Sequence, residues 1–405
     1  MRRVLLILGG ALALLLSAGF IYVDQAPSKR FPVPKLELRV EVTPERVARG
    51  KHWATLLCAG CHLDPATGAL TGQAMPDLPK ELGVAFSRNI TGHPTKGIGA
   101  WTDGELVYAL RTGVARDGRY LPPWMVKLPH MADEDLYSII AFLRSDDPWV
   151  APRDVDNRES SGSMLAKALL RAGVFGPLPM PAAPIVRTST TDLVAFGKYL
   201  DETLDCYQCH SADFKTNNVL EPERSEGFLG GGNPLLDGAG RRIYSANLTP
   251  DPEHGIGKWS AEDFRRALKE GVRPSGVRLR YPMEIMHELR DVESDALYAY
   301  LRTVPKSANQ VPPPESGEAS ASDEGQRIYR TYGCAACHGD DGAGRCDLTQ
   351  GPAKYRTDEA LIAFIKHPIG TVPDSKMPAW DGVIKDAEYK PLLQHLRALA
   401  AARGH

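Results

Sequence analysis

The chain has 405 residues, is 43% hydrophobic, and carries 48 basic against 50 acidic side chains for a net charge of −2. That length predicts two to four domains, and the apolar fraction is that of a globular protein with real cores. So even a charge balance excludes nucleic acid as the main partner.

At the N-terminus, Arg2 and Arg3 precede an uncharged, mostly apolar run of 20 residues from Val4 to Val23. The apolar core of a signal peptide is usually shorter, whereas a spanning helix needs about 20 residues. Ser17-Ala18-Gly19 offers only a weak cleavage site. Residues 1–30 are therefore expected to be an uncleaved membrane-spanning anchor rather than a removed signal helix. Either reading exports everything after Asp24, because arginines ahead of the span hold the N-terminus inside.

Three similar repeats follow, in each of which a cysteine–histidine motif is expected to end a capped helix. Thr43-Pro44-Glu45-Arg46 caps a helix from Val47 to Leu57, with proline at the first helical position. Cys58-x-x-Cys61-His62 comes next. Thr191-Asp192 opens a second such helix, running towards Asp205 and Cys206-x-x-Cys209-His210. Ser322-Asp323-Glu324 opens a third ahead of Cys334-x-x-Cys337-His338. Each helix holds a glycine (Gly50, Gly197, Gly325) eight or nine residues before its first cysteine. A glycine inside a helix costs about 1 kcal/mol relative to alanine, so its threefold use predicts a close crossing by another helix. The crossing partner is an amphipathic helix that closes each repeat. These helices open with acids at Asp133, Glu293 and Asp386 and end near Arg144, Arg302 and Arg397, which suits the helix dipole.

Cys-x-x-Cys-His is the attachment pattern of c-type haem. Two thiols reach the two vinyl groups of one porphyrin, and the adjacent histidine reaches the iron. With 7 Cys and 11 His in the chain, roughly 0.003 copies are expected by chance. Zinc is the competing reading, but it needs a second cysteine pair or two histidines nearby, and the three pairs lie far apart in sequence. The expectation is three covalently bound haem c groups, on Cys58 and Cys61, Cys206 and Cys209, and Cys334 and Cys337, with His62, His210 and His338 on the irons. Cys346 is left over and reads as a packing residue. Covalent haem attachment fits an exported chain, so the expected location is a bacterial inner membrane with the haem domains on the periplasmic side.

A methionine beside proline lies downstream of each motif: Met125 after Pro122-Pro123-Trp124, Met283 after Pro282, and Met377 before Pro378. Each is a candidate for the far side of its iron, where a thioether raises the reduction potential. Met131 and Met286 are the rivals, and both fit the buried face of the closing helix better. Met75 and Met180 have no counterpart in the other repeats. Asn89-Ile90-Thr91 before Gly97-Ile98-Gly99-Ala100-Trp101 recurs as Asn247-Leu248-Thr249 before Gly255-Ile256-Gly257-Lys258-Trp259. The asparagine either meets a haem propionate or closes a turn; both readings stand on sequence. Gly230-Gly231-Gly232 is not a phosphate loop, since no Gly-Lys-Ser/Thr follows.

Proline-rich stretches at 176–184 and 312–314 mark linkers. The predicted organisation is an anchor at 1–30, domains at 31–150, 187–305 and 320–405, and linkers at 151–186 and 306–319. The predicted fold is mainly α, with long loops around each haem. The third domain lacks the Asn…Trp insert.

The three motifs, the paired Asn-Ile/Leu-Thr…Gly-Ile-Gly-x-Trp segments and the methionine loops resemble the tri-haem cytochrome c subunit of membrane-bound bacterial dehydrogenases of the alcohol and gluconate type. The resemblance covers nearly the whole exported chain. It implies three tandem class I cytochrome c-like domains, with His62, His210 and His338 proximal and Met125, Met283 and Met377 distal. It further implies an electron-transfer protein rather than an enzyme, passing electrons from a partner dehydrogenase to a membrane quinone or another cytochrome. The alternative function is a multi-haem redox enzyme, peroxidase-like or a small-molecule reductase, with one labile iron site.

Overall fold

The computed structural model describes Val23 and residues 29–401, apart from 65–66, 76–79, 237–241, 277–278, 280–281, 313–323, 333, 335–337, 340–341, 343–347, 349–353, 373–374, 376 and 378. The body of the expected anchor, Cys337, Cys346, Pro378 and the Ser322-Asp323 cap lie outside the described residues. Among the described residues, no helix is long and apolar enough to cross a membrane. The chain forms two compact units, residues 1–187 and 188–405, each taken by itself below.

In the first unit, α1 (Pro44–Leu57) starts at Thr43, whose hydroxyl accepts the Arg46 amide at 3.3 Å. The motif forms its own turn, α2 (Ala59–His62), with Cys58 ending α1 and opening α2. Next, α3 (Asp103–Thr112) is held by a Thr102–Glu105 capping box and stopped by Gly113 at φ 78°. The closing helix α4 (Asp133–Leu143) lies across α1. At Gly50 the two backbones touch: a Cβ there would come closer than 3.0 Å to the Ser138 carbonyl and to the Phe142 Cβ. Trp53, Leu106, Leu136, Ile139, Ile140 and Phe142 are buried in this unit.

A short helix α5 (Met164–Arg171) follows, and Gly83–Val84 pairs antiparallel with Ser161–Gly162. The proline-rich stretch then runs back over the unit. Leu178 N donates to Thr112 O at 3.0 Å, and Ile185 O accepts from Asp133 N at 2.9 Å.

The second unit repeats the design. Helix α6 (Leu193–Thr203) leads to the motif turn α7 (Cys206–His210), then to α8 (Ala261–Glu270) and the closing helix α9 (Asp291–Leu301). A hairpin pairs Pro234–Leu236 with Arg242–Tyr244. Gly197 meets the Ala296 carbonyl and the Tyr300 Cβ as Gly50 meets Ser138 and Phe142. Further along, α10 (Glu324–Thr331), α11 (Asp358–Lys366), α12 (Pro368–Thr371) and α13 (Asp386–Ala401) follow. There Gly325 meets the Pro391 carbonyl and the His395 Cβ.

The mainly α architecture agrees with the sequence reading, and two local expectations change. The first two motifs do not end the preceding helices; each occupies a separate turn. Before α7 the break is made by Asp205 at φ 57°, a left-handed conformation that aspartate tolerates better than most residues. It swings Cys206 and Cys209 off the axis of α6. Secondly, α9 begins at Asp291, two residues ahead of Glu293.

The crossings generate a test. At an open helix site, Gly→Ala stabilises by up to about 1 kcal/mol. At Gly50 and Gly197 the added methyl meets backbone, and overpacking of that kind costs about 1–3 kcal/mol. Urea unfolding of Gly50→Ala and Gly197→Ala should therefore show lowered midpoints; unchanged or raised midpoints would contradict the close crossing.

Candidate functional site

Two of the motif histidines are held in the same way. His62 Nδ1 lies 2.7 Å from the Arg88 carbonyl, and His210 Nδ1 lies 2.8 Å from the Ala246 carbonyl. A carbonyl only accepts, so each Nδ1 carries the proton and donates, which leaves Nε2 with its lone pair free. The histidine backbone is pinned as well. Gly72 N donates to His62 O at 2.9 Å and Gly231 N donates to His210 O at 2.7 Å. Gly72 and Gly231 have φ of 87° and 69°. A Cβ at Gly231 would strike the backbone of Ala246 and Asn247. Gly231 is the middle of the triple glycine that sequence reasoning could only exclude as a phosphate loop. Burial keeps both histidines below their ordinary pKa, against the pull of the carbonyl bonds. They are neutral imidazoles, the form that binds a metal.

Arg88 and Ala246 each precede the asparagine of a repeated segment, and the structure decides what that asparagine does. Asn89 Oδ1 accepts from Thr91 N and Oγ1 at 2.9 and 2.7 Å, while its Nδ2 donates to Arg153 O and Val155 O, each at 3.1 Å. Asn247 does the same with Thr249 and with Ser307 O and Asn309 O. Both side chains are spent on closing the fold: they clip the extended segment after each closing helix onto the loop that supplies the histidine's carbonyl. The turn reading holds and the propionate reading does not.

Trp101 and Trp259 stand in the turn before the middle helix. Their carbonyls accept from Arg144 and from Tyr298, the latter at 2.6 Å. The arginines near the ends of the closing helices reach back to the same region: Arg144 to Asp103 at 3.0 Å, Arg302 to Gly257 O at 2.7 Å and Arg397 to Asp358 at 2.7 Å.

The three candidate methionines occupy one structural position. Leu128 N donates to Leu110 O at 2.8 Å, Met286 N to Leu268 O at 2.8 Å and Trp380 N to Ile365 O at 3.2 Å. Each acceptor lies in the last turn of the middle helix of its repeat. Met125, Met283 and Met377 stand three residues before these donors, and all three are half-buried. The rivals fall elsewhere in the same register. Met286 matches the buried Leu128, though it is itself half-buried, and Met131, at 0% exposure, matches the buried Leu289.

A cation from the middle helix ties off the far end of each methionine loop: Arg111 to Asp133 at 2.6 Å, Lys269 to Asp291 at 2.5 Å and Lys366 to Asp386 at 3.2 Å. Arg111 is buried and also donates to Leu128 O and Met131 O at 2.7 and 2.6 Å. No sequence pattern had singled these cations out.

In the third repeat an apolar cavity is lined by Cys334, His338, Met377, Tyr329, Trp380 and Phe364. One cavity thus gathers a motif thiol, the motif histidine and the candidate thioether.

In the first two repeats burial raises Cys58 to about 12 and Cys209 to about 11, and lifts Cys206 well above the ordinary thiol value. Such thiols are not thiolates, which argues against dithiol exchange. Among the described residues, no group of three or more His, Cys, Asp or Glu could hold a metal ion. The donors that are present fit haem: cysteine pairs in the attachment pattern, neutral histidines at His62 and His210 that donate through Nδ1, a thioether in a fixed loop and, in the third repeat, an apolar wall.

The family model described as cytochrome c oxidase, cbb3-type, subunit III matches residues 320–396, the third repeat. The chain is 28% identical over 384 residues to the gluconate 2-dehydrogenase cytochrome c subunit of Pantoea cypripedii, covering 87% of this chain and 85% of that one. It is 29% identical over 340 residues to the fructose dehydrogenase cytochrome subunit of Gluconobacter japonicus, covering 74% of this chain but 65% of the relative. It is 30% identical over 312 residues to a diheme cytochrome c-type protein of Cereibacter sphaeroides, covering 73% of this chain and 97% of the relative. Taken with the motif turns and neutral histidines, this places the chain in the family of c-type cytochromes that includes the cytochrome subunits of bacterial fructose, gluconate and alcohol dehydrogenases, as an electron-transfer protein rather than a catalytic enzyme.

Proposed function

We propose that the chain is a three-haem relay within a dehydrogenase complex. It takes electrons from a separate dehydrogenase subunit and passes them to a membrane quinone or another cytochrome. In this reading Cys58 and Cys61, Cys206 and Cys209, and Cys334 and Cys337 hold the three haems by thioethers. His62, His210 and His338 stand on one side of the irons, and Met125, Met283 and Met377 on the other. The domains are 31–150, 187–305 and 320–405, carried on the periplasmic face of a bacterial inner membrane by the N-terminal segment.

The observation that carries the reading is the common register of the three methionines, each three residues before the amide that bonds the last turn of the middle helix. Bound there, a haem supplies a reversible one-electron iron couple. The residues do the rest. The Nδ1–H bonds to Arg88 O and Ala246 O fix the imidazole tautomer and ring angle and raise its basicity. The methionine loops, tied at both ends, hold sulfur in place with little entropy left to lose. The apolar lining of the third cavity keeps water from the metal. A dehydrogenase partner is drawn from the relatives, whose names are those of cytochrome subunits of such enzymes.

Two experiments test this. Intact-mass and haemochrome measurements on the exported protein should give three haems per chain, falling to two in the Cys206→Ala/Cys209→Ala double variant. A wild-type count of two would leave one motif unused. Carbon monoxide difference spectra of the reduced protein should be small, because no iron is open, and Met377→Ala should add about one haem equivalent of binding. A full equivalent bound by the wild type would instead favour a redox enzyme with a labile iron.

A further inference from the structure

Asp201 lies on α6, four residues after the crossing glycine Gly197; the residues four after Gly50 and Gly325 are Ala54 and Tyr329. All three are buried, each at 0% exposure. Only the second repeat places a carboxyl at this position.

Apart from the Cys206 thiol, neither oxygen of that carboxyl has a hydrogen-bond partner. Around it stand Lys198 and Glu202 on its own helix, Asp205 and Cys206 just beyond, and Tyr300 on α9 across the crossing. Lys198 is engaged elsewhere, by Glu202 at 2.8 Å and by Glu223. Burial first, then Glu202 and Asp205, hold Asp201 well above the usual carboxylate range, against Lys198 and the Cys206 thiol. Thioether formation at Cys206 would remove that thiol hydrogen and leave the carboxyl with one fewer stabilising neighbour.

A buried carboxyl is costly as an anion and tolerable as a neutral acid. Its balance shifts when positive charge appears close by. We propose that Asp201 couples one proton to each electron at the second haem, a role that rests on the haem assignment above. When the second haem is oxidised, the electron leaves for the next acceptor, the Asp201 O–H bond breaks, and the proton passes to water. Reduction takes up one electron and one proton and restores the neutral acid. The negative charge formed on oxidation offsets the positive charge gained at the iron. Ala54 and Tyr329 offer no carboxyl at the matching positions, so the first and third haems lack this coupling.

The test is a spectroelectrochemical titration of the purified haem-loaded protein at several pH values between about 5 and 9. The second haem is identified as the component missing from the Cys206→Ala/Cys209→Ala double variant. In the wild type its midpoint should fall with rising pH, approaching about 59 mV for each tenfold drop in proton concentration, the value for one electron and one proton. Asp201→Asn, close in size and unable to ionise, should flatten that slope and leave the other two haems unchanged. Asp201→Tyr, the residue type of the third repeat, should do the same. A slope that survives either substitution in a fully loaded protein overturns the coupling, as does a wild-type midpoint that ignores pH across the range. If the double cysteine variant loses no haem, the haem assignment itself fails and the coupling with it.

Discussion

At Gly50, Gly197 and Gly325, a helix leading into a cysteine motif lies against the backbone of the helix that closes its repeat, where a side chain would overlap a carbonyl group. The geometry around each motif follows from this contact. The first helix delivers the motif to one side of the crossing. The second is preceded by the methionine loop, so the same contact sets where that loop must end. The cation at the end of the middle helix then meets the first acid of the closing helix, and the loop is fixed between two anchored points. A methyl group at the crossing would push the two helices apart and move histidine and methionine relative to each other.

The histidine's own surroundings form a second layer built on that frame. Its Nδ1 is used by a backbone carbonyl, and its carbonyl is taken by a glycine amide, in both of the repeats that carry the asparagine segment. The carbonyl is in place because the next residue, Asn89 or Asn247, is buried and fully bonded to the extended segment that follows the closing helix. A side chain spent on the fold thus sets which imidazole nitrogen carries the proton.

Much of this was legible in the chain itself. Three copies of one spacing identified the cofactor chemistry, because two thioethers and an adjacent ligand leave little freedom in sequence. The glycines announced the crossings, since a residue unfavourable in a helix recurs only where a Cβ cannot fit. Other features were hidden. Arg88 and Ala246 contribute through a backbone carbonyl, which every residue has, so nothing in their side chains marks them. Arg111, Lys269 and Lys366 read as ordinary charges near helix ends. Gly231 was visible, but the reason for it, an approach to the backbone of Ala246 and Asn247, was not.

By itself the sequence determined the mainly helical character and the covalent haem c chemistry, because these depend on local spacing and period. Only the tertiary structure put Met125, Met283 and Met377 in one register, since that register is set against the middle helix. It alone assigned Asn89 and Asn247 to closing the fold. It alone showed Asp201 buried, because burial belongs to contacts between segments far apart in the chain.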